Sequence, residues 1–139
     1  MNKWLFFILI LTTPLLEAKD IEVRLKGAAL VAAPLYAELV DASQLEWKPA
    51  VQQVEVNIVQ HQPIFKFVDV PEGIYAIRVF LDLDKNTKLN RSRRGIPLEP
   101  IGYSLCGIER KSEPQPFNCG FIHSQEVTEI DINLIHLKR

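Results

Sequence analysis

Beyond residue 19, apolar and polar positions alternate with a period of two through much of the chain, and that alternation predicts short half-buried strands. Ile21, Val23 and Leu25 interleave with Glu22, Arg24 and Lys26, and Gly27 closes the run. Leu30 to Val40 sets Leu35, Ala37 and Leu39 on one side. Val54, Val56 and Ile58 form a third set, and Ile64 to Val68 follows the break at Pro63. Asp69 to Gly73 reads as a turn, in which Pro71 fixes φ early and Gly73 supplies a positive φ late. Ile74 to Leu81 is dense in β-branched and aromatic residues, and its near-continuous apolarity predicts a central strand covered on both faces. Phe117 to His123 is the next expected strand. Thr128, Ile130, Ile132 and Leu134 then alternate with Val127, Glu129, Asp131 and Asn133 in the last.

Between these runs lie a polar connection, Asp41 to Pro49, and a long stretch, Asp82 to Pro116, with no period of either kind. No segment carries a helical repeat. The expected class is all-β: an antiparallel β-sandwich of about seven strands, immunoglobulin-like or prealbumin-like.

The first eighteen residues follow another pattern. Lys3 precedes an apolar run from Trp4 to Leu11, with Pro14, Leu15 and Leu16 behind it and Ala18 at the end. A lysine, a short apolar run and a small closing residue make a secretory signal. The run falls short of the roughly 20 apolar residues of a membrane span. The expected organisation is a signal over 1–18 and one sandwich domain over 19–139, periplasmic or secreted, with no membrane span after cleavage. The formal net charge of −1 argues against a nucleic-acid partner. Export also bears on the chain's two cysteines, Cys106 and Cys119, which are expected to pair across a short loop in an oxidising compartment.

Chemistry concentrates at the start of the long stretch. In Asp82-Leu83-Asp84-Lys85-Asn86-Thr87-Lys88-Leu89-Asn90, oxygen-bearing side chains stand at the first, third, fifth and ninth positions. A calcium loop uses that spacing, with a backbone carbonyl, here at Lys88, completing a shell of oxygens around a hard cation. Thr87 occupies the place of the turn glycine, and Arg93 that of the bidentate glutamate. Arg91, Arg93 and Arg94 add positive charge, and Glu99 reaches the set only if the chain folds back. The expectation is therefore a loop in which Asp and Asn side chains cap turns, with no cofactor required and calcium as the alternative.

Three runs together resemble the bacterial domain-of-unknown-function family 2141. They are Val70-Pro71-Glu72-Gly73-Ile74-Tyr75-Ala76-Ile77, then Asp82-x-Asp84-x-Asn86-x-Lys88-Leu89-Asn90, then Gly95-Ile96-Pro97-x-Glu99-Pro100-x-Gly102-Tyr103-Ser104. The family pattern is an LP-x-G-x-Y-A strand, a D-x-N-x-N-G-K-L-D loop and a G-x-P-x-E-x-Y-G-F-S segment. The resemblance spans roughly Ile21 to Leu134 and implies an exported β-sandwich with no established activity. Thr87 for glycine, Asn90 for aspartate and Ile101 for an aromatic are departures from that pattern.

The functional expectation is a non-enzymatic accessory or binding module of the cell envelope, showing the 82–104 loop to a protein or glycan. Asp82, Asp84, Asn86, Asn90, Glu99 and Tyr103 are its candidate ligand-binding residues. A calcium-stabilised structural module is one alternative, and a hydrolase built on paired carboxylates another. Ser104 has no histidine at a recognisable spacing. His61, His123 and His136 are scattered and are expected to be satisfied singly, and Tyr36 and Trp47 to pack rather than stack on sugars. Solvation is the expected state of the arginine cluster, with a grip on a phosphate or carboxylate as its alternative.

Overall fold

The structure, a computed structural model, describes residues 18–27, 32–57, 64–107, 112–124 and 126–137. The expected signal up to residue 17, and the expectations for Leu30, Ile58 and His61, lie outside the described residues.

Among the described residues there are eight strands: β1 (Lys19–Lys26), β2 (Pro34–Asp41), β3 (Gln52–Asn57), β4 (Ile64–Val70), β5 (Gly73–Leu81), β6 (Ile101–Tyr103), β7 (Phe121–His123) and β8 (Thr128–Asn133). One sheet has the order β4-β1-β8. The other runs β3-β2-β5-β6, with β7 also paired to β5. β6 lies against Arg78 to Phe80, and β7 against Gly73 to Tyr75. The pairs are antiparallel except β1 with β8, which run parallel from Ile21↔Thr128 to Lys26↔Asn133.

Period-two patterning explains the packing. The inward side chains of β1, β4 and β8, including Ile21, Val23, Phe67 and Ile132, meet Leu35, Leu39, Ile77 and Leu81 of the other sheet in one buried cluster. Each large apolar side chain so buried contributes about 1.5–3 kcal/mol. β5 is covered on both faces, as its composition predicts. Its outward Ala76 and Phe80 join Val40, Trp47, Ile101, Tyr103 and Cys119 in a second cluster, outside the five-stranded sheet.

Hydrogen bonds tie the sheets at several places, among them Gln52 Nε2 of β3 donating to the Val68 carbonyl of β4 at 2.6 Å. Ile101 and Ile135 exchange backbone hydrogen bonds of 2.9 Å, joining the β6 edge to the residues after β8. Gly102 makes this closure possible, since a Cβ there would lie 2.6 Å from Ile132 Cγ2 and 2.7 Å from the Asn133 carbonyl. Elsewhere, buried His123 holds the start of β1 to the end of β4. Its Nε2 donates to the carbonyls of Lys19 (3.1 Å) and Val70 (3.0 Å), so its Nδ1 accepts from the Thr128 hydroxyl at 2.7 Å.

Three local expectations are corrected. The stretch 82–116 is not wholly irregular, because it contains β6. Phe117 to His123 is not one strand: a 3-10 turn, Pro116–Cys119, precedes the short β7. At the hairpin the positive φ belongs to Asp69, at 51°, and not to Gly73. Gly73 instead leaves room for the Tyr75 ring, which would stand 3.1 Å from a Cβ.

Candidate functional site

The long loop after β5 is held by its own acids. Asp82, nearly fully buried, accepts from the backbone N–H of Asn86 (3.1 Å) and of Thr87 (2.8 Å). Those two bonds wind 82–87 into a tight turn with Lys85 and Thr87 at φ of 57° and 67°. Thr87 thus adopts the left-handed conformation that glycine would take most easily. Asn86 and Asn90 brace the next turn, with the Asn86 amide donating to Asn90 Oδ1 at 2.6 Å and the Asn90 amide to Asp84 at 2.5 Å.

The chain does fold back. Ser92 N–H donates to Ile96 O and Leu98 N–H to Asn90 O, both at 2.9 Å, making a small turn over 91–97. Glu99, 4% exposed, is thereby returned to the loop's start, where its carboxylate accepts from Leu83 N–H (3.1 Å) and Asn90 N–H (3.2 Å). Asp82, Asp84 and Glu99 each place an oxygen within 4.8 Å of the others. Burial, with the two aspartates nearby, pushes the Glu99 carboxyl above its usual range. The Asn90 amide on Asp84 holds that carboxyl below its own. Asp82 and Glu99 bring in two carboxylates that a calcium shell would use, and Asp84 a third.

Tyr103 is not part of this cluster. It is buried in β6, with its hydroxyl donating to Glu113 at 2.7 Å. Burial and Glu113 together raise the phenol far above its ordinary value.

Glu113 belongs to a second arrangement, which sequence reasoning missed. Arg78, on the outward face of β5 and 4% exposed, donates through Nε (2.8 Å) and Nη2 (2.5 Å) to Glu38 of β2, and through Nη1 (2.8 Å) to Glu113. Arg91 reaches the other Glu113 oxygen at 2.5 Å. Burial alone would raise the Glu113 carboxyl, but Arg78, Tyr103 and Arg91 hold it below the ordinary carboxylate range. The Trp47 ring lies 5.5 Å from the Arg78 guanidinium carbon, and its N–H donates to the Pro114 carbonyl at 2.9 Å. An arginine inside an apolar strand was the available signal.

This network floors a cleft of about 960 Å³ on the outer face of the five-stranded sheet. Its walls come from the 45–50 connection, the 87–91 part of the loop and the 113–115 segment. Cys106 and Cys119 are joined in a disulfide, Cα to Cα 4.9 Å, which staples the ends of the segment carrying Glu113 and Pro114. Trp47 packs on Tyr103 and Tyr36 stacks on Phe80, in keeping with packing roles. His136 bonds the Leu98 carbonyl at 2.8 Å. His123 and His136 therefore have separate partners.

A family model described as "Uncharacterized protein conserved in bacteria (DUF2141)" matches residues 23–131. Comparison with curated proteins and with solved structures finds no match.

Proposed function

The chain belongs to the DUF2141 family, and we propose, from the shape of its site, that it works as an exported, non-enzymatic binding module of the cell envelope that shows its 82–104 segment to a protein or glycan partner. One observation carries this reading: residues 87–91 of a loop braced by its own hydrogen bonds form a wall of the 960 Å³ cleft. That size is typical of ligand sites. The lining includes no serine, cysteine or histidine, and its Glu38 and Glu113 are taken up by arginines. The Cys106–Cys119 disulfide is compatible with export. Crosslinking capture from envelope fractions tests the reading. Intact protein should capture a discrete partner, Leu89→Asp should lose it, and the form of this protein recovered from the envelope should begin near Lys19. Equal capture by both forms, or a full-length chain in the cytosol, would overturn it.

A calcium-stabilised module is the second reading, favoured by the convergence of Asp82, Asp84 and Glu99 within 4.8 Å. Melting in calcium against chelator decides it. Calcium at a hundredfold excess over its dissociation constant would add about 2.7 kcal/mol. Under this reading the melting temperature rises and Asp84→Ala abolishes the rise; with turn-capping alone, chelator and calcium give one curve.

A further inference from the structure

We propose that the cleft outside the five-stranded sheet binds a short acidic peptide segment carrying apolar side chains. The proposal rests on reading the chain as a binding module and adds the chemistry of the ligand. Arg78, Arg91, Lys48 and Lys88 line the cleft, against Glu38, Glu113 and Glu46. Arg78 takes Glu38 and one oxygen of Glu113, and Arg91 takes the other, so these four charges close on one another. What remains at the rim is Lys48 from the 45–50 connection, Lys88 from the 87–91 loop, and Glu46.

Neither lysine has a carboxylate partner among the described residues. Lys85, Arg93 and Arg94, on the loop and the turn beside it, are exposed and equally unpaired among those residues. The acids of that loop offset part of this charge: Asp82 and Glu99 are buried behind it, while Asp84 is an exposed carboxylate that accepts from the Asn90 amide. In a chain of net charge −1, the cations lining this cleft outnumber its acids by four to three, and the two rim lysines face the single Glu46.

The apolar surface selects between acidic partners. Leu45, 73% exposed, and half-buried Leu89 offer aliphatic surface at the mouth. Trp47 and Phe80 are 6% and 2% exposed, so neither presents an open ring face on which a sugar could lie. Aliphatic side chains of a peptide match this surface better than a glycan does. Gln53 and Gln115, both exposed in the lining, supply amide donors and acceptors for a peptide backbone.

Calorimetric titration of the purified native protein tests the proposal, with three probes. These are an end-blocked pentapeptide alternating glutamate and leucine, its lysine–leucine counterpart, and tetragalacturonate. The acidic peptide should bind, and binding should weaken about tenfold when salt rises from about 0.05 to about 0.5 M. Lys48→Glu with Lys88→Glu should weaken it at least as much, whereas Lys66→Glu, on the other sheet, should leave it unchanged. Binding of the lysine peptide or of tetragalacturonate as tightly as the acidic peptide overturns the proposal, as does no binding or full binding by the double variant. Failure here with partner capture intact removes only the ligand class. Loss of partner capture removes the module reading itself.

Discussion

Thr87 shows how a residue can depart from its motif while the backbone keeps the motif's shape. The backbone N–H groups of Asn86 and Thr87 donate to the Asp82 carboxylate and hold the turn, and Thr87 adopts φ of 67° within it. A left-handed residue with a Cβ costs about 1–2 kcal/mol, and glycine returns about 0.5–1 kcal/mol of that through its freer unfolded chain. Thr87→Gly should therefore stabilise the protein by about 0.5–1 kcal/mol, read as a small rise in denaturation midpoint. The spacing of Asp82, Asp84 and Asn86 was legible in the sequence. The place of Glu99 was not, because it depends on the 91–97 turn, whose residues carry no marker of direction. Glu113 was hidden more deeply, since its partner Arg78 stands 35 residues away in the chain. Glu113→Gln leaves Arg78 and Arg91 short of a buried partner and should cost about 3 kcal/mol at neutral pH. The folded-state pKa of Glu113 lies below its ordinary 4.5, so its contribution is present above that value and lost as pH falls through the folded value. Denaturation curves of the two forms should therefore converge on acidification below pH 4.5. Glu99, with its raised pKa, acts in the opposite sense: its contribution is present at low pH and lost as pH rises through the raised value.

Among the elements, the long alternating strands were readable and the short ones were not. β1 and β8 declare themselves because every second side chain faces the core. β6 is three residues long in a segment rich in proline and glycine, and its pairing with Arg78 to Phe80 on one side and with Ile135 on the other makes it a strand. The parallel pairing of β1 with β8 leaves no trace in composition, since a half-buried strand shows the same period in either direction. The disulfide has a part here beyond joining two cysteines. It closes the segment that supplies Glu113 to Arg78 and the Pro114 carbonyl to Trp47. Cys106→Ser should lower stability by about 3 kcal/mol, as expected for a loop of this size. It should also shift the emission of Trp47 to longer wavelength as the indole loses its cover. An unchanged spectrum in the folded variant would show that the segment keeps its place without the bridge.

At the scale of the whole molecule, the first strand of the sandwich is completed by the last. β1 sits between β4 and β8, so residues 19–26 have an open edge until residues 128–133 have been made. Such long-range pairing is slow, because most of the chain must be closed into a loop before the contact forms. The N–H and C=O groups along that edge, and the apolar side chains beneath it, stay uncovered for the same interval. A form ending at residue 126 should accordingly be cut rapidly by protease at concentrations that spare the form carrying residues 128–133. Vectorial synthesis thus becomes a timer: whatever must receive this polypeptide in an open state has until residues 128–133 emerge, and their pairing with β1 ends the opportunity.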